Sequence, residues 1–83
     1  MKITKREVDY EKKCPKGHKD VELVEYEKID KVDELINIDP FNTRRTRKVI
    51  VYNGWCKIYC HKCRKEYYQD CYIYEYGPWR INY

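Results

Sequence analysis

Apolar and polar positions alternate along the second half of this chain. Val49-Ile50-Val51-Tyr52 and Trp55-Cys56-Lys57-Ile58-Tyr59 are short runs rich in β-branched and aromatic residues. From Lys65 to Tyr76, Tyr68, Tyr72, Tyr74 and Tyr76 fall on one parity and Cys71 and Ile73 on the other. Such a period of two predicts strands. Between the first two runs stands Asn53-Gly54, the dipeptide favoured in two-residue type I′ hairpin turns. The expected order is strand, turn, strand, tight turn, strand: a three-stranded antiparallel meander. In that register Tyr52 faces Trp55, Ile50 faces Lys57 and Lys48 faces Tyr59. Val49, Val51, Cys56 and Ile58 then form the core face.

Upstream the rhythm is looser. Residues 1–13 carry Ile3, Val8 and Tyr10 among charges and read as a ragged edge strand. Cys14-Pro15-Lys16-Gly17-His18 has turn chemistry, since proline presets φ and glycine accepts a positive one. Val21 to Ile29 alternates again, placing that turn at the tip of a hairpin. Between Asp30 and Ile38 the spacing changes: Val32, Leu35 and Ile36 share a helical face, Asp30 can cap, and Pro40 stops the run. One short helix is expected there. Phe41 to Lys48 reads as an exposed basic connector. Gly77-Pro78 ends the last strand, and Trp79 is expected to pack back onto the body. The whole, 1–83, reads as a single domain with 19–47 inserted between its two tight turns.

Composition sharpens this picture. Leu, Ile, Val and Phe together number 17, and alanine is absent. A chain of 83 residues with so few aliphatics is close to the limit at which a core alone suffices. Ten tyrosines and two tryptophans supply apolar surface, each with a polar atom that needs a partner. A metal staple is therefore expected. The five cysteines are an odd count, and Met1-Lys2-Ile3-Thr4-Lys5-Arg6 lacks the apolar core of a secretion signal. No apolar run approaches membrane-spanning length. These features point to a reducing, intracellular setting rather than a disulfide framework.

The net charge of +4 conceals a sharp segregation. From Asp20 to Asp39 eight acidic residues meet only Lys28 and Lys31, giving −6; from Pro40 to Lys65 eight basic residues meet none, giving +8. Such a division points to a positive patch that matters for partners.

Cysteine spacing supplies the chemistry. Cys60-His61-Lys62-Cys63 places two thiols one tight turn apart, and Cys14 with His18 can form the matching pair. Zinc takes four tetrahedral nitrogen or sulfur ligands, so Cys14, His18, Cys60 and Cys63 would make a closed Cys3His site holding one structural Zn2+. The gap of 41 residues between His18 and Cys60 adds roughly 0.9 kcal/mol of loop closure over a compact finger, small beside the roughly 10–16 kcal/mol of structural zinc. His61 is an alternative ligand in place of Cys60 or His18. Cys56 and Cys71 lie within strands and read as buried thiols. A redox role for Cys60 and Cys63 lacks the βαβ setting it needs. Catalysis would require an open coordination position and a nearby base, so the chain reads as a non-enzyme.

On these residues the chain resembles the zinc ribbon family, in which two knuckles of the form Cys-Pro-x-Cys-Gly sit at hairpin turns around one zinc with a three-stranded sheet. The first knuckle here ends in a histidine one residue later, and the second lacks both the proline and the glycine, with Arg64 in the glycine's place. The resemblance covers the knuckles and their strands, not residues 19–47. It implies a small mostly-β, zinc-ribbon-like domain, and it makes a place in transcription or replication machinery the expected setting.

A nucleic-acid-binding surface is expected, with a protein-docking surface as its alternative. Arg44, Arg45, Arg47, Lys48 and Lys57 with Tyr52, Trp55 and Tyr59 combine cations and rings as single-strand nucleic-acid binders do. The competing view is that residues 19–41 cover these rings. Tyr68, Tyr72, Tyr74 and Tyr76 share the other candidate surface, suited to an adaptor or inhibitor that docks on a host protein. The acidic run could imitate phosphates, although a solvated face explains it as well.

Overall fold

The computed structural model describes residues 2–82. Its five strands are β1 (Lys5–Asp9), β2 (Val21–Asp39), β3 (Asn42–Cys60), β4 (Lys65–Tyr76) and β5 (Arg80–Ile81). All pair antiparallel in one sheet of order β1-β4-β3-β2, and β5 pairs with β3 beyond the end of β4. Among the described residues there is no helix. The mostly-β antiparallel class is as the alternation predicts, but the strand pairing differs in four places.

Asn53-Gly54 is not a turn. β3 runs straight through it, with Asn53 opposite Tyr72 and Gly54 opposite Cys71 on β4. On the other side Lys28 pairs with Gly54 and Asp30 with Asn53. Glycine is needed here for close approach: a Cβ on Gly54 would lie 2.1 Å from the backbone oxygen of Glu27 and 3.0 Å from Ile73 Cδ1. The expected pairs Tyr52–Trp55, Ile50–Lys57 and Lys48–Tyr59 are therefore absent, and the meander is replaced by two long strands, β3 and β4, between the edges β1 and β2.

Because β3 is continuous, its buried residues change face. Opposed residues on antiparallel strands share a face, so Tyr52, Gly54, Cys56, Ile58 and Cys60 lie with Tyr67, Cys71 and Ile73. Val49 and Val51, also buried, lie on the opposite face with Tyr74 and Tyr76. A strand that switches its buried face at one point looks in sequence like a chain that turns back.

The stretch expected to be helical is the middle of β2. The register shifts at Leu23/Glu25, Lys28/Asp30 and Lys31/Asp33, leaving Val24, Ile29 and Val32 as bulge residues. Each bulge adds one residue to a period of two, so apolar positions fall three apart and imitate a helical face. Pro40 starts the β2–β3 turn instead of ending a helix, with the Phe41 N–H donating to Asp39 Oδ1 at 2.9 Å. The basic connector is strand as well, since Arg47 pairs with Asn37 and Lys48 with Ile36. Finally, β1 and β2 form no hairpin with each other. β1 pairs with β4, Val8 opposite Ile73, so the two strands occupy opposite edges.

The core is small. Cys56, Ile58, Cys71 and Ile73 are buried together, with Val8, Tyr10, Val21, Leu23, Tyr52 and Tyr67 packed around them. Over the same face Glu75, 2% exposed, receives Arg6 from β1 at 2.7 Å and Lys28 from β2 at 3.1 Å. Lys28 leans across β3 over the Tyr52 ring, its Nζ 4.5 Å from the ring centroid. The end of the β2–β3 hairpin, beyond Leu35 and Val49, runs past β4 as an arm, and the dimensions are 53 × 26 × 16 Å. The radius of gyration, 16.0 Å, exceeds the roughly 12 Å of a compact chain of this length.

Candidate metal centre

The two tight turns meet because β2 begins against the end of β3. Val21 pairs with Cys60, and the His61 N–H donates to the Asp20 carbonyl at 3.0 Å. Cys14 and His18 lie in the β1–β2 connection, Cys60 is the last residue of β3, and Cys63 sits in the turn before β4. Each turn is closed by its own backbone: Gly17 N–H to the Cys14 carbonyl at 2.8 Å, Cys14 N–H to the His18 carbonyl at 2.9 Å, and Arg64 N–H to the Cys60 carbonyl at 2.7 Å. Gly17 takes φ +89°, as its residue type allows. Arg64 takes φ 56°, the left-handed conformation that a glycine would adopt without cost.

One ligand atom from each of Cys14, His18, Cys60 and Cys63 lies within 4.8 Å of the others. Cys14 Sγ is 3.8 Å from Cys63 Sγ. His18 Nδ1 is 3.4 Å from Cys14 Sγ, 3.2 Å from Cys63 Sγ and 3.7 Å from Cys60 Sγ. Around a tetrahedral ion with metal–sulfur bonds of about 2.3 Å and metal–nitrogen bonds of about 2.0 Å, such edges measure about 3.5–3.8 Å. The donor set fits, and these four residues could hold a metal ion. No disulfide is formed, and all five cysteines are free.

Local groups shift the Cys14 and Cys60 thiols in opposite directions. The Cys63 N–H points at Cys60 Sγ at 3.4 Å. At Cys14 burial pushes the thiol up, but backbone N–H groups of His18 and Lys16 and the adjacent thiols outweigh it, and the thiol ends below its ordinary value. Burial dominates at Cys60 and holds it above. Hydrogen bonding to Cys63, aided by burial, pushes the Tyr67 phenol up to about 12. Tyr67 beside the cluster and the left-handed Arg64 were not singled out from sequence; the missing glycine after Cys63 was the only signal for the latter.

His61 lies outside the cluster: its ring packs edge-on against Tyr59 and faces Glu22 at 3.8 Å. Cys56 and Cys71 are buried in the core, and burial pushes the Cys56 thiol up to about 12.

The remaining predicted residues divide between the faces. Trp55, Lys57 and Tyr59 share a face with Tyr68, Tyr72, Tyr74 and Tyr76, while Lys48 and Tyr52 lie on the opposite one. Trp55 and Tyr68 meet edge to face at 5.6 Å, and Tyr68 and Tyr72 are 69% and 51% exposed. Carboxylates rim this aromatic patch: Glu22, Glu25 and Glu27 from β2, Glu66 and Asp70 from β4. Lys57 is already engaged by Glu25 at 3.1 Å and Glu66 at 3.2 Å. Arg45 pairs with Asp39, and Arg45 and Arg47 lie against the Trp79 ring, which folds back as expected. Arg44 makes no ion pair among the described residues. The acidic and basic blocks of the sequence are thus neighbouring strands of one hairpin.

The sequence matches no protein-family model, no curated protein and no solved structure. Among the described residues no helix is long and apolar enough to cross a membrane.

Proposed function

We propose that this chain is a non-catalytic, zinc-clipped docking module of zinc-ribbon type that binds a cationic protein surface through its aromatic face. Zn2+ is the ion that three thiolates and one imidazole in a closed tetrahedron select. With all four positions filled by side chains, no site is left for a bound water or substrate, so the ion's role is to hold the fold.

The rim of five carboxylates around Trp55, Tyr59, Tyr68 and Tyr72 is the observation that carries the reading. Phosphates are repelled by such a rim, whereas lysine and arginine are drawn to it and can rest on the rings. Nucleic acid is the second reading, and its support lies elsewhere: Arg44 and Arg80 carry no ion pair among the described residues.

Trp55 fluorescence, read in a Trp79→Phe background, separates the two. An arginine- and leucine-containing peptide should quench Trp55 and bind more weakly as salt rises. Tyr68→Ala and the pair Glu25→Gln/Glu66→Gln should each weaken it by about tenfold or more. Tighter binding of a single-stranded oligonucleotide than of the peptide, strengthened by the Glu→Gln pair, would replace this reading by the nucleic-acid one.

A further inference from the structure

At the root of the arm, between β3 and β5, lies a recess of about 380 Å³. Its walls include Ile36, Thr46, Arg47, Lys48, Pro78 and Arg80. Thr46 opposes Arg80 and Ile36 opposes Lys48, so these four side chains share one face of the sheet. No carboxylate lines the recess.

Two cations, Lys48 and Arg80, thus meet around one concavity with little to neutralise them, while Arg47, between Thr46 and Lys48 on β3, points to the other face of the sheet. Arg80 forms no ion pair among the described residues. Lys48 faces Glu34 at 3.8 Å, but Glu34 is held more closely by Lys31, at 2.9 Å. Arg47 is fixed by aromatic rings: its guanidinium lies 4.5 Å from the centroids of both Tyr76 and Trp79. Its Nε–H is screened from solvent and has no acceptor among the described residues. Asn82 donates its amide to Thr46 Oγ1 at 3.0 Å, which leaves the Thr46 hydroxyl proton available to a ligand.

We propose that this recess is a binding site for a phosphate ester, with Lys48 and Arg80 meeting the phosphoryl oxygens and Ile36 and Pro78 covering the ester group. Flexible cations suit an anion whose oxygens point in several directions. The recess is larger than a bare phosphate requires, and its apolar walls account for the excess. The site lies apart from the aromatic face, and neither docking reading is needed for it.

The test is titration of the zinc-loaded protein, followed by amide and arginine side-chain ¹H–¹⁵N signals, with inorganic phosphate, phenyl phosphate and a short single-stranded oligonucleotide. Phenyl phosphate should give saturable shifts at Thr46, Lys48, Gly77 and Arg80 and bind more tightly than inorganic phosphate. Lys48→Ala and Arg80→Ala should each weaken it by about tenfold while leaving metal content unchanged. Tighter binding of the monoester than of the oligonucleotide assigns the site to small phosphorylated molecules; the reverse order assigns it to a nucleic-acid backbone. No saturable shift up to roughly 10 mM phenyl phosphate, or full binding by both alanine variants, overturns the proposal.

Discussion

Arg64 and Glu75 show what single positions contribute. Arg64 holds φ 56° in the turn after Cys63, where every residue with a Cβ is strained. Arg64→Gly should therefore raise the stability of the metal-loaded protein by about 0.5–1 kcal/mol, part of the relief being offset by glycine's greater freedom in the unfolded chain. Denaturant midpoints in excess zinc measure it. Burial raises the Glu75 carboxyl, but the Lys28 and Arg6 hydrogen bonds outweigh that, and it sits below its ordinary 4.5. Its stabilisation is then present above pH 4.5 and lost as pH falls from there through the depressed folded value. Glu75→Gln should cost about 2 kcal/mol at neutral pH, less than a fully buried pair because both cations are half in water. The difference between variant and parent should hold from neutral pH to about pH 5 and close below 4.5, as followed by unfolding at each pH.

At the scale of elements, two substitutions separate the observed strands from the arrangement that the sequence pattern invites. Gly54→Ala places a methyl against the Glu27 backbone oxygen, an atom that cannot move without disrupting β2. It should cost about 3 kcal/mol or more, whereas in a hairpin turn the same change would cost about 1. Val32→Lys should change stability by less than about 0.5 kcal/mol, because Val32 is a half-exposed bulge residue and not the buried face of a helix. Thermal unfolding of both variants checks these outcomes. The limits of β4, Lys65 to Tyr76, and the start of β2 were legible from alternation alone. The rest was not, for local reasons. Asn53-Gly54 has the composition of a turn but serves a close strand crossing, and Val24, Ile29 and Val32 break the period of two. Which strand pairs with which depends on contacts far apart in sequence, such as Val8 with Ile73, that local pattern does not encode.

For the whole molecule, the four-residue cluster was the most legible feature, because ligand chemistry restricts residue type and spacing more tightly than strand pairing does. Of the eight residues expected to form one nucleic-acid surface, Lys48 and Tyr52 lie on the opposite face from Trp55, Lys57 and Tyr59, because their face assignment rested on a turn that does not exist. On the proposal that the cluster holds zinc, the body depends on that clip. Its core is four buried residues, and the ligands join the β1–β2 connection to the β3–β4 turn. Removing the ion with a chelator should unfold the body, and iodoacetamide at mildly alkaline pH should then reach Cys14, Cys60 and Cys63. In the loaded protein all three should resist, and Cys56, with its thiol near 12, should stay unmodified; peptide mass spectra give the pattern.

The most direct test is X-ray absorption at the zinc edge on the purified chain, with metal content measured on the same sample. One ion per chain is expected, with three sulfur neighbours at about 2.3 Å and one nitrogen at about 2.0 Å. His18→Ala should replace the nitrogen or lose the ion, while His61→Ala should change nothing. Absence of a stoichiometric metal, or a shell in which His61 takes the place of His18, would contradict the account.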